Sequence, residues 1–107
     1  MTMTHTYAEK EPTREQVEAM PGAVVLEFGA PWCVICQTAQ SRIETALAER
    51  PEITHIKIED APRRRLGRSF RIKLWPTLVF LENGEEIDRR VRPASSQTIS
   101  EALAKLS

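Results

Sequence analysis

Cys33 and Cys36 are the only two cysteines in the chain and stand three positions apart. Thiols at that spacing can form a structural disulfide, supply half of a zinc site, or cycle between dithiol and disulfide. A zinc site needs four ligands, and beyond the cysteines the chain offers only His5 and His55 as histidines. His5 falls in a polar N-terminal stretch and His55 in an apolar run, so a second ligand pair does not form and no metal is expected. Redox cycling remains the better reading. The pair lies where an apolar run ends and helical spacing begins, and a helix start presents free N–H groups and partial positive charge. Both favour thiolate, the species that attacks a disulfide, so Cys33 is the expected attacker. Cys36 sits one turn further on the inward face, sheltered from outside partners but able to reach back. One exposed attacker and one sheltered resolver is what disulfide exchange requires.

A carboxylate lies close by in sequence. In the run Ala23-Val24-Val25-Leu26-Glu27-Phe28, Val25 and Glu27 share one strand face while Val24, Leu26 and Phe28 share the other. Burial there should raise the pKa of Glu27 and let it trade protons near neutral pH. Lys57 is its expected partner, because His55 and Lys57 face opposite to Ile56 and Ile58. The plainer alternative is a structural buried acid satisfied by Lys57 or a water.

The elements that must position these groups follow from periodicity. A weak extended piece surrounds Tyr7. Thr13-Arg14-Glu15-Gln16 reads as a capping box, opening a short helix to about Met20 before Pro21-Gly22. The nearly continuous apolar run over 23–28 is a strand buried on both faces. Cys36, Ala39, Ile43, Ala46 and Leu47 then recur at helical spacing, and Pro51 closes that helix. A second buried strand covers 53–58, and Pro62 opens a short helix with Leu66 and Phe70 on its inner side. Leu78 to Leu81 form the next strand. Asn83-Gly84 is a strong hairpin signal, so Glu85 to Val91 should return antiparallel. Ile99, Ala102, Leu103 and Leu106 stripe a last helix capped by Ser95 or Ser96. Strands separated by helices are expected as parallel crossovers, with the hairpin adding an antiparallel edge.

The 107 residues are 41% hydrophobic and 28% charged, with fifteen basic residues balancing fifteen acidic ones. One domain over residues 1–107 is expected, with 1–6 as a mobile tail. The charge balance gives no argument for nucleic acid or a membrane surface, and Arg63-Arg64-Arg65 reads as a solvated helix face. The polar N-terminal stretch lacks an apolar signal region, which makes the cytoplasm the expected location. A reducing compartment counts against a permanent disulfide and for redox chemistry.

Trp32-Cys33-Val34-Ile35-Cys36, the preceding Glu27-Phe28-Gly29-Ala30 and the later Trp75-Pro76-Thr77 resemble the thioredoxin family, over nearly the whole chain from Tyr7. The resemblance implies an α/β thioredoxin fold, a central mixed β-sheet in the order βαβαβαββα with helices on both faces. It implies Cys33 as nucleophile, Cys36 as resolving thiol and Pro76 as a cis proline beside them. The backbone at Trp75 would pair with a bound substrate chain as an added strand. Trp32, Trp75, Pro76, Thr77 and Arg92 are thus the expected substrate-binding residues. Glu27 matches a position where family members often place a buried Asp that accepts the proton of the resolving cysteine, and Lys57 would support it. The implied partners are disulfide-containing proteins and an external thiol or reductase donor, with no bound cofactor and a monomeric chain.

Departures from the family pattern fall on the rim. Val34-Ile35 stands where Gly-Pro is common, and Gly29 where a Trp is frequent. Trp75 replaces a medium aliphatic before the proline, and Arg92 replaces a glycine lining the groove. A narrower partner range than a general thioredoxin is expected. Trp32 reads as a cover beside the thiols. Trp75 has two readings, a groove wall or a ring stacked on Pro76, and Arg92 is either a groove residue or a solvated edge. Val34 and Ile35 bring Cys33 no charge or donor, which leans toward a reductant. The alternative is a redox-inactive binding or scaffold module whose Trp75 and Arg92 grip one partner.

Overall fold

The computed structural model describes residues 3–107. Thr13 caps α1 (Arg14–Glu18) in the expected capping box: its side chain accepts from the Gln16 backbone, and the Gln16 side chain accepts from its own. The remaining elements are β1 (Ala23–Gly29), α2 (Val34–Leu47), β2 (Thr54–Glu59), α3 (Leu66–Ser69), β3 (Thr77–Glu82), β4 (Glu85–Val91) and α4 (Ser96–Leu103). Ser95 is the α4 N-cap, and Asn83 and Gly84 both take positive φ in the β3–β4 turn, as a tight hairpin requires. Pro62 does not open α3. Arg65 holds the N-cap position, and the Glu11 carboxylate accepts from the backbone N–H of Arg65 at 2.8 Å and of Leu66 at 3.4 Å.

The sheet order is β2-β1-β3-β4. β1 pairs β2 in parallel, but β3 runs antiparallel to β1, with Phe28 opposite Thr77. This corrects the expectation of parallel crossovers throughout. A parallel return needs a helix that carries the chain back along the strand, and α3 has four residues, about 6 Å of rise. The chain therefore re-enters the sheet at the end where β2 left it. That reversal sets Pro76 beside the end of β1, where the cysteines are.

Alternation along β1 splits the core as expected. Val25 packs with Ala39, Ile43 and Leu47 of α2 and with Ile99 and Leu103 of α4. Val24, Leu26 and Phe28 pack on the opposite face with Val17, Leu66 and Phe70. Helices thus cover both faces of a mixed four-stranded sheet. Among the described residues no helix is long and apolar enough to cross a membrane.

The N-terminal stretch departs from the expected tail at 1–6. Residues 1 and 2 lie outside the described residues, but Met3 is buried. Thr4 donates its backbone N–H to His55 Nδ1 at 2.9 Å and its hydroxyl to the His55 carbonyl at 2.7 Å. The open edge of β2 supplies these partners. The first β of the expected order is one parallel bridge, Tyr7 to Lys57, with Ala8 N donating to the Lys57 carbonyl at 2.9 Å.

Candidate active site

Cys33 is the N-cap residue of α2, in extended backbone geometry, and its Sγ accepts from the Cys36 N–H at 3.2 Å. Local sequence explains the placement: β1 ends at Gly29, Pro31 and Trp32 turn the chain, and the α2 ladder begins with Gln37 N donating to the Cys33 carbonyl at 3.0 Å. An N-cap sulfur in this position takes the role a Ser or Asp oxygen ordinarily fills. Both cysteines are free thiols, Cys33 half-buried and Cys36 buried at 1% exposure. Burial and the adjoining Cys33 sulfur push the Cys36 thiol up to about 12, against a backbone hydrogen bond at Ala30 that pulls it down.

Glu27 lies on the α2 side of β1, fully buried, and Lys57 is its register partner on β2. Its Oε1 meets His55 Nε2 at 2.9 Å, while its Oε2 accepts from Gln40 Nε2 at 2.8 Å and faces Lys57 Nζ at 3.7 Å. Because His55 Nδ1 accepts from Thr4, Nε2 carries the ring proton and donates. Gln40 completes the cluster, accepting from Lys57 Nζ at 2.9 Å and donating to the Cys36 carbonyl, also at 2.9 Å. Burial pushes the Glu27 carboxyl up, yet the His55 hydrogen bond, the Lys57 charge and the Gln40 amide outweigh it and hold the pKa below its ordinary value. The expected rise is therefore corrected. A carboxylate so held is a weak base near neutral pH, and the structural alternative with Lys57 describes it better.

The rim residues gather at the same end of the sheet. The Trp75–Pro76 bond is cis. Trp32 is 67% exposed, and its ring meets Trp75 edge-on at 5.4 Å between centroids. Trp75 is held at its other side, donating Nε1–H to Asp60 Oδ2 at 2.9 Å. The Trp32 ring and the Asp60 carboxylate together fix its indole. Arg92 takes φ +48° and donates Nε–H to the Trp75 carbonyl at 2.8 Å, while its backbone N–H donates to the Pro76 carbonyl at 2.8 Å. Its side chain and backbone are thus tied to the proline loop. Of Thr77, expected among the substrate-binding residues, the side chain is buried and its hydroxyl donates to the Leu74 carbonyl at 2.6 Å, tying down the loop.

Gln40, His55, Asp60 and Tyr7 were missed as site residues by sequence reasoning. Gln40 had a signal, since it lies four residues after Cys36 on one helix face. His55 had one too, sharing the strand face of Lys57. Asp60 and Tyr7 had none, because each joins the site through tertiary contact.

Comparison with known proteins agrees with this geometry. A family model described as Thioredoxin matches residues 4–105. The structure of thioredoxin 2 from Pseudomonas aeruginosa PAO1 in its reduced form superposes with a TM-score of 0.86 at 44% identity, over 96% of this chain and 95% of that one. A thioredoxin from Chlamydia trachomatis is 26% identical over 84 residues, 78% of this chain and 82% of its own.

Proposed function

Because this chain belongs to the thioredoxin family and carries its dithiol–disulfide oxidoreductase pair, we propose that it reduces disulfide bonds in proteins, with Cys33 attacking and Cys36 resolving. The observation that carries the reading is the half-buried Cys33 sulfur accepting an N–H at the α2 start, with Cys36 buried behind it. Cys33 thiolate forms a bond to one substrate sulfur, and the other substrate sulfur leaves as thiolate and is protonated. Cys36 thiolate then bonds to Cys33 Sγ and expels the first substrate sulfur, leaving the protein oxidised and the substrate reduced. An external thiol or reductase returns two electrons and two protons.

The order of these steps has an electrostatic basis. Cys33 is among the causes that push the Cys36 thiol up. Once Cys33 is tied into a mixed disulfide it carries no charge, so Cys36 ionises more readily at the moment resolution is due. Glu27 acts as a fixed negative charge that anchors Lys57 and Gln40 under the thiols. Trp32, Trp75, Pro76 and Arg92 form the rim against which a substrate strand lies. A reducing cytoplasm suits a carrier that rests as the dithiol, acting as a monomer.

The test is turnover of a protein disulfide with a dithiol donor. Cys33→Ser should lose all activity, and Cys36→Ser should accumulate thiol-labile mixed disulfides. Turnover by Cys33→Ser would refute the assignment. A redox titration read by thiol alkylation separates this role from a binding module: a reversible couple between about −270 and −120 mV supports the reductase, and thiols that never pair support the module.

A further inference from the structure

Gly29 ends β1 beneath the cysteines, and its missing side chain leaves room for two polar atoms. A Cβ at this position would lie 2.6 Å from Cys36 Sγ and 3.1 Å from the Tyr7 hydroxyl oxygen. Any side chain at 29 would displace both. Tyr7 is held there by its bridge to Lys57, by the Ala8 to Lys57 backbone hydrogen bond, and by Lys57 Nζ at 4.6 Å from its ring centre. Tyr7 and Cys36 also line one cavity of about 500 Å³, together with Gln40, Lys57 and His5.

Taking Cys36 as the resolving thiol, we propose that Tyr7 is a catalytic residue of the resolving step, its hydroxyl donating a hydrogen bond to the Cys36 thiolate. Beside the backbone hydrogen bond at Ala30, few donors are left for that role. Gln40 Nε2 is committed to Glu27 and the Cys36 carbonyl, and Lys57 Nζ to Gln40 and Glu27. Around the sulfur stand Cys33 from α2, Glu27 from β1, Lys57 from β2 and Tyr7 itself, with His5 on the cavity wall. Burial and the negative charges of Cys36 and Glu27 push the ionisation of Tyr7 up, so it stays protonated and remains a donor. During the step the Cys36 proton leaves to solvent through the cavity. The Cys36 lone pair forms the bond to Cys33 Sγ, the bond from Cys33 to the substrate sulfur breaks, and the departing sulfur takes a proton from solvent. The hydroxyl gives no proton away; it lowers the free energy of the anion.

Ellman's reagent, an aryl disulfide, reads the two steps apart in stopped flow. The first burst of coloured thiolate reports attack by Cys33, and the second reports resolution by Cys36. In Tyr7→Phe the first phase should be unchanged, while the second slows roughly tenfold, the scale of a hydrogen bond to a charged group. The pH at which this phase accelerates should also shift upward, because the Cys36 thiolate loses a donor, which a purely structural role would not produce. Gly29→Ala, which forces sulfur and hydroxyl apart, should slow the same phase. A Tyr7→Phe protein whose second phase stays within about twofold of wild type at every pH overturns the role of the tyrosine alone. A wild-type protein with no second phase overturns the assignment of Cys36, and the tyrosine's role with it.

Discussion

Replacing Glu27 with Gln removes one charge from a sealed pair. Glu27 is fully buried and Lys57 is 5% exposed, with 3.7 Å between Oε2 and Nζ. At an effective dielectric constant near 20, unit charges at that distance attract by about 4 to 5 kcal/mol. The variant forfeits that attraction and leaves the Lys57 ammonium buried against neutral amides, without its paired charge. Relief of the carboxylate's own desolvation offsets part of the loss. Breaking one side of a buried pair ordinarily costs about 3 to 5 kcal/mol. In a chain of this length that corresponds to a fall in Tm of at least about 12 °C. Urea unfolding at neutral pH, followed by tryptophan fluorescence, measures the loss directly. Adding Lys57→Met should recover much of it, since both charges are then gone. The pH dependence has a fixed sign. Glu27 titrates below its ordinary value of 4.5 in the folded protein, so its contribution is complete above that pH and disappears as pH falls through the lowered value. The gap between wild type and Glu27→Gln should therefore close in acid. A variant within about 1 kcal/mol of wild type at neutral pH would refute the buried-pair account.

Two further outcomes follow from single residues. Arg92→Gly removes the side chain that occupies the Trp75 carbonyl and suits a backbone at φ +48°; KM for a protein disulfide should fall about threefold to tenfold with kcat unchanged, the scale of one hydrogen bond. An unchanged KM would show that substrates do not use that carbonyl. Gly84→Ala places a Cβ 2.1 Å from the Glu18 carbonyl oxygen at φ +83°, so the urea midpoint should drop by the equivalent of about 2 kcal/mol or more.

Local chemistry was readable from the residues alone, and long-range geometry was not. The thiols could be placed because an N-cap, a helix start and an inward face are all encoded within a few positions of Cys33. The face of Glu27 was legible from the two-residue period of β1. The direction of its pKa shift was not, because the hydrogen bonds that decide it arrive from Gln40 on α2 and His55 on β2. The direction of β3 escaped because periodicity is blind to strand direction; only the shortness of α3 reveals it. The contacts of Trp75 with Asp60 and Trp32 could not be read either, because neither residue adjoins it in sequence. Tyr7 was hidden most deeply, since its position depends on an atom that Gly29 lacks.

The reversal of β3 has a consequence for how the reaction centre comes into being. The sulfurs belong to the first half of the chain and the proline loop to the second, and the seam joining them is the β1–β3 ladder, Phe28 against Thr77. Loop closure over that separation is opposed by entropy. A partly folded chain would thus hold a dithiol with no cleft to present it to, and competence to exchange disulfides would switch on only as the central ladder zips shut.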